Sequence, residues 1–456
     1  MDHDFFQEQK QENEVERVPA TPQFQNQSAP KRKKRVKWGK ILLTVGIAAV
    51  SFGCGILATW TSLDPEIRTL LTVKDKIQED YYQEVTDEEF YKAIFGGIND
   101  NLLDPYSQYM TPEEFSAAVS DLEGNRIGIG LVFTTSAVDP LRITRVCGNS
   151  PAEEAGILAG ERVIGYGKTE SALTVATTFE AFSAFLSEYG EKEEFLLKLQ
   201  SGENERLVTV YKGAYVENYV FYRTNDSSYV FTGEYANDLT KKGEPLACLD
   251  DDTAYIRLVQ FTGNAAEEFD VAMSQFKKDG KKHLILDLRG NGGGYLDTMQ
   301  SIASYFCKSA TVAEPVVAVA DFGDKRTQYY AYGNWYYDYF TEESQIYLLA
   351  DAYSASASEC LIGCMIDYGA ISFENICLAE REGVAKTYGK GIMQETQLVN
   401  LLKQDAITLT TAEIRWPLSN RSIHGRGVLP EDGAKTVTEN IDYEIETQNA
   451  IKTLLG

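Results

Sequence analysis

The chain has 456 residues, 43% hydrophobic and 11% aromatic, with a net charge of −25. That length allows two or three domains with substantial cores, and the apolar content excludes a wholly disordered polymer. Residues 1–40 carry a net +3 and residues 41–60 none, so the rest holds −28. Such a surface repels nucleic acid phosphates and anionic lipid, leaving polypeptides as the favoured partners.

Residues 1–37 are polar, rich in Gln and Glu, and interrupted by Pro19, Pro22 and Pro30. They cannot bury enough apolar surface to fold and read as a disordered cytoplasmic tail. Residues 38–60 then read as one transmembrane helix. The uncharged run 41–60 matches the thickness of a bilayer core, Trp38 and Trp60 stand at its ends, and the basic cluster at 31–40 precedes it. A cleaved signal peptide fits less well, because the run is long for such a segment and no Ala-x-Ala site follows. The expected location is therefore the cell membrane, single-pass, with the N-terminus cytoplasmic and everything after residue 60 outside.

Residues 61–120 show helical spacing (Leu70, Leu71, Val73, Ile77, then Phe90, Ile94, Ile98), broken by the turn Leu103-Asp104-Pro105-Tyr106-Ser107. Residues 121–213 shift to short strands, with one helix start at Ser150-Pro151 and another helix near 178–189. From residue 214 to 456 strands and helices alternate: strands at 254–261, 283–288, 316–319 and 346–350, helices at 265–279, 295–307 and 356–368, and further strands after 390. This alternation predicts an α/β core whose chemistry sits in loops at strand ends. The segment Tyr329–Phe340 holds eight aromatic residues in twelve and reads as a hairpin turning at Gly333-Asn334, its rings packed on the domain in preference to forming a binding platform.

Seven cysteines include no Cys-x-x-Cys pair. Cys360 and Cys364 share a helix face, yet no histidine completes a site, so buried small hydrophobes are expected and neither metal nor cofactor is called for.

Three stretches carry chemistry: Asp287-Leu288-Arg289-Gly290-Asn291-Gly292-Gly293-Gly294, Ser354-Ala355-Ser356-Ala357-Ser358-Glu359 and Tyr388-Gly389-Lys390-Gly391-Ile392-Met393-Gln394. A hydroxyl needs a base to become a nucleophile. Of the three histidines, His3 lies across the expected membrane, His283 enters a predicted buried strand, and only His424 is left for a Ser-His-Asp arrangement. A desolvated lysine can replace histidine, and Lys390 lies between two glycines in an apolar context. Ser356 begins a helix, where N–H groups and the dipole favour developing negative charge, and Ala357 offers one donor. The glycine run offers more donors and lacks the Gly-Lys-Ser/Thr of a phosphate loop.

In order and content these stretches resemble the carboxy-terminal processing proteases, the tail-specific serine proteases of peptidase family S41, over roughly residues 64–440. The resemblance implies an α/β protease core of crotonase/ClpP-like type with an inserted PDZ domain at 121–213. It also implies Ser356 as nucleophile, Lys390 as general base, Gln394 orienting the lysine, and an oxyanion hole formed by Gly293 and Ala357. For the PDZ unit it implies Gly128, Ile129 and Gly130 as the loop that captures a peptide's C-terminal carboxylate. Polypeptides recognised by their C-termini are the implied substrates, with homo-oligomerisation left open. The chain departs from the family pattern at Gly292, which replaces a proline, and in the 34 residues between Ser356 and Lys390. The surplus is placed in an inserted loop at 371–385, and Lys386 is the alternative base. A catalytically silent peptide-binding scaffold is the competing class of function.

Overall fold

The computed structural model describes residues 61–122, 125–133, 141–158, 160–232, 238–241, 243–400, 402–440 and 442–456, with a few helical positions between 50 and 59. The expected tail and most of the expected anchor lie outside the described residues. Among the described residues no helix is long and apolar enough to cross a membrane. The chain divides into two compact units, 1–91 and 92–456.

In the first unit the helix Pro65–Asp80 begins where Asp64 accepts a hydrogen bond from Glu66 N–H at 2.8 Å, with Pro65 in the first turn. None of its residues is buried.

The second unit is built on an eight-stranded sheet. Its spatial order is Asp238–Lys241, Ser228–Thr232, Val220–Arg223, Thr253–Leu258, His283–Asp287, Ile346–Asp351, Ile376–Ala379, Lys435–Val437. The last five run parallel, and the first three are antiparallel. Side chains alternate across the sheet with the period of two that a strand imposes. Leu284, Leu286, Leu348 and Ala350 enter the larger core with the helices Ala265–Lys278, Leu296–Ala303 and Ala357–Asp367. Ile285 and Leu349 face the other side, under the helix Tyr443–Leu455. Both faces are covered, which is why these strands read as continuous apolar runs. A second sheet contains Gln108–Met110, Val316–Asp321, Arg326–Tyr330, Ile392–Asn400 and Asp405–Arg415.

Residues 129–210 bury a separate, smaller core around Ile143, Val163, Phe182, Phe195, Leu197 and Val210. Ser150 caps the short helix Pro151–Glu154 as its sequence suggests, accepting from Glu153 N–H.

Two expectations are corrected. Residues 371–385 are no surface insertion, because Ile376–Ala379 is a fully buried strand of the main sheet. The aromatic segment does not turn a hairpin at Gly333-Asn334. Arg326–Tyr330 pairs backward with Val316–Asp321, and the chain then enters the short helix Tyr336–Tyr339. Part of the segment packs as expected, with Trp335 and Tyr339 edge-on to Tyr305 and Tyr336 and Phe340 buried, whereas Tyr330, Tyr332 and Tyr337 are exposed. Five of the cysteines are buried and free, with Cys307 and Cys364 sulfurs 3.6 Å apart, whereas Cys248 is exposed.

An ionic cluster locks the main sheet to its last helix. Arg289, 1% exposed, donates to Asp287, to Glu446 at 2.7 Å and to Thr447 at 2.6 Å. Arg381 bridges Glu446 and Asp351. Burial alone would raise the Asp287 carboxyl, but the guanidinium of Arg289 overrides it and holds it at about 2. Since a free aspartate titrates near ~3.9, this stabilisation is complete above about pH 4 and is lost as pH falls toward 2. Arg289→Met, which removes the ion-pair partner of the buried Asp287 and leaves Glu446 to Arg381 alone, is expected to cost about 3–5 kcal/mol in urea unfolding.

Candidate active site

Strand Ile346–Asp351 ends on Asp351, whose carboxylate accepts from Gly290 N–H at 2.9 Å and Tyr353 N–H at 3.0 Å, so one side chain fastens two loops. The serine stretch follows. Ser354 is buried, donating to Leu288 O at 2.8 Å and accepting from Asp351 N–H. Ser358 is buried and donates to Asn291 O at 2.8 Å. These outer hydroxyls are committed to holding the glycine-rich loop. Ser356, between them, lines a cavity of about 170 Å³. Its backbone has φ 57° and ψ −114°, a conformation L-residues rarely adopt, at the first turn of helix Ala357–Asp367.

The glycine-rich loop comes up against this turn. Gly293 has φ 100°, and a Cβ there would stand 2.8 Å from both Ala355 O and Ser356 Cβ, so only glycine fits. Its N–H donates to Asn291 Oδ1 at 2.9 Å. The N–H of Ala357 makes no hydrogen bond among the described residues. Gly294, beside Gly293, lines the cavity.

Lys390 lines the same cavity, as does Gln394. Burial lowers the Lys390 pKa from its usual value near 10.5, opposed by the charge of Asp104. Its flanking glycines have a steric reason: a Cβ at Gly389 would reach the backbone at Arg426 and Gly427, and one at Gly391 would stand 2.8 Å from His424 N. Neither Lys386 nor His424 is among the cavity's lining residues, and His424 is exposed. His283 Nδ1 accepts a hydrogen bond from Gln345 N–H. Gln394 Nε2 donates to Tyr106 O at 2.9 Å.

Two contributors were not singled out from sequence. Glu359, fully buried, accepts from Thr387 Oγ1 at 2.6 Å, Gly389 N–H at 2.8 Å, Lys390 N–H at 2.8 Å and Ser356 N–H at 3.2 Å. One carboxylate thus fixes the serine turn and the lysine loop to each other. Burial raises its pKa, while these four donors work against the rise. The spacing Ser356-x-x-Glu359 at a helix start is a capping signature that could have marked it. Tyr106 places its ring 5.1 Å from Lys390 Nζ, and its hydroxyl is 3.5 Å from that of Tyr388. That contact and burial push the Tyr106 phenol up to about 12.

Residues 252–432 match the sequence profile "Peptidase family S41". This chain carries a family S41 peptidase domain. It is 26% identical over 418 residues to a "Probable CtpA-like serine protease" of Staphylococcus haemolyticus, covering 89% of this chain and 74% of that one. It is 27% identical over 400 residues to the Staphylococcus saprophyticus protein so described, covering 86% and 70%. The solved photosystem II D1 C-terminal processing protease is similar at 21% identity and a TM-score of 0.45, over 79% of this chain and 85% of that one. The S41 domain makes the protein a serine-type peptidase with a mixed α/β fold.

In the small-core unit, Gly130 has φ 83°, and a Cβ there would collide with Ser150. Ile129 O accepts from Ala152 N–H and Gly130 O from Cys147 N–H. The N–H groups of Ile129 and Gly130 make no hydrogen bond among the described residues.

Glu359→Gln would set an amide NH2 against backbone N–H donors. The expected result is a stability loss of about 2–4 kcal/mol by chemical denaturation, together with peptidase activity reduced at least tenfold.

Proposed function

We propose that the protein is a membrane-anchored, extracytoplasmic serine endopeptidase of Ser-Lys type that engages polypeptides by their C-termini through the unit at 121–213, a PDZ domain. The observation that carries the reading is the single cavity shared by Ser356, whose neighbouring serines are spent on structure, and a desolvated Lys390.

Ser356 Oγ attacks the scissile carbonyl carbon while neutral Lys390 Nζ takes its proton. The resulting oxyanion is met by Ala357 N–H and by Gly293 N–H, which exchanges Asn291 Oδ1 for the substrate oxygen. Collapse breaks the C–N bond, Lys390 returns the proton to the departing amine, and water, deprotonated by the same lysine, releases the acyl group. Gln394, tied to Tyr106, holds the approach to the lysine. The N–H groups at Ile129 and Gly130, unpaired among the described residues, support carboxylate capture. The uncharged run at 41–60 with basic residues before it supports the anchor and its orientation.

Ser356→Ala and Lys390→Ala are each expected to lower kcat/KM for an unstructured polypeptide by at least a thousandfold, measured on purified protein; wild-type turnover by either would overturn the assignment. Since the lysine acts as its neutral amine, log kcat/KM should climb with pH and level off at a pKa below about 10.5.

C-terminal capture makes a separate prediction. Amidating a peptide's C-terminus should weaken its binding about tenfold or more in a titration, and equal affinities would rule out carboxylate recognition.

A further inference from the structure

Lys390 Nζ forms no hydrogen bond and no ion pair among the described residues. A long, flexible side chain in that state would sample several rotamers, at a cost to any reaction that needs its amine in one place. What lies over it is the ring of Tyr106, whose centre is 5.1 Å from Nζ. That is within the range at which an aromatic face attracts an ammonium group.

The ring is held from two directions. Within its turn, Asp104 accepts from Tyr106 N–H at 2.8 Å and from Ser107 Oγ at 3.1 Å, and Ser107 Oγ accepts from Thr410 N–H at 2.9 Å. The turn leads into Gln108–Met110, which pairs with Asp405–Arg415, and that strand pairs in turn with Ile392–Asn400, two residues after Lys390. From the lysine strand, Gln394 Nε2 donates to Tyr106 O at 2.9 Å. The Gln394 amide therefore reaches the main chain of the tyrosine and makes no hydrogen bond to Nζ among the described residues.

Few charges compete for the amine. Asp104 is exposed, so water and salt screen it. The Glu359 carboxylate is occupied by backbone N–H groups, that of Lys390 included, and by Thr387. Tyr388 stands edge-on to Tyr106. The loop at 423–427 meets Gly389 and Gly391 with its backbone, while Arg426 pairs with Asp432 and His424 is exposed.

We propose that Tyr106 is the positioning residue for Lys390, its ring face backing the amine, and that Gln394 acts on the lysine through Tyr106 without touching it. This deepens the peptidase reading and rests on it for the consequence in turnover. On taking the Ser356 proton the lysine becomes an ammonium, the form the ring attracts, so the contact that fixes the amine also favours the product of proton transfer. Tyr106 is not among the cavity's lining residues, so its effect belongs in kcat and not in KM.

Two measurements on the full chain test this. Lysine labelled with 13C at Cε reports the Lys390 titration by NMR, its signal identified by its loss in Lys390→Arg. Because the ring favours the charged form, Tyr106→Leu should lower the Lys390 pKa by about half a unit, and Tyr106→Phe, which keeps the ring, should restore it. At pH values where the lysine is fully neutral, Tyr106→Leu should lower kcat at least tenfold with KM within about twofold, and Tyr106→Phe should recover most of the loss. Gln394→Ala should also lower kcat, and the double variant Tyr106→Leu, Gln394→Ala should be no slower than the worse single one. An unmoved lysine titration in Tyr106→Leu, or losses that multiply in the double variant, overturns the proposal. The titration needs no turnover. A shifted titration in a wild-type chain that cleaves nothing leaves Tyr106 standing and sinks the catalytic reading; cleavage with an unmoved titration does the reverse.

Discussion

The carboxylate of Glu359 is the interaction on which the site depends. Its two oxygens collect four donors from both halves of the candidate site: Ser356 N–H from the helix it belongs to, and Thr387, Gly389 and Lys390 from a loop some thirty residues on. A buried carboxylate is expensive unless fully hydrogen-bonded, and here the donors that satisfy it are the segments whose separation matters. Neutralising this charge and misplacing the lysine are the same event.

Around that link the other motif residues divide between support and chemistry. Asp287 and Arg289 do not reach the cavity. Their pairing with Glu446 and Thr447 sets the end of strand His283–Asp287, from which the glycine loop departs. Asn291 then shapes the loop, bonding Leu258 O, Gly293 N–H, Ala355 N–H and Ser358 Oγ. The strained backbone of Ser356 persists because neighbours on every side over-determine it. The lysine, by contrast, has little ionic company: an aromatic face at 5.1 Å and an apolar surround that favours its neutral form.

Much of this was legible in the chain. Both-face burial of the central strands follows from apolar runs such as Leu284–Leu286, and the three small-residue stretches singled out in the sequence meet around one cavity. The choice of Ser356 among the three serines comes from the resemblance; the physical distinction, hydrogen bonds from Ser354 to Leu288 and from Ser358 to Asn291 more than sixty residues away, is not visible in the chain. Tyr106 was invisible for the same reason, being 282 residues from Tyr388. The strand Ile376–Ala379 was mistaken for part of an insertion because four residues are too few for periodicity to speak. Gly333-Asn334 carries a hairpin signal, but the aromatic rings beyond it gain more by turning inward than by forming a second strand.

The helix Tyr443–Leu455 supplies Glu446 and Thr447 to an arginine more than 150 residues earlier. While the chain is being made, that arginine and its aspartate emerge long before their partners. The turn at Ser356 thus acquires its footing only once residues 443–455 have been synthesised and docked, and until then the loops at the ends of the central strands lack the ionic cluster that fastens them.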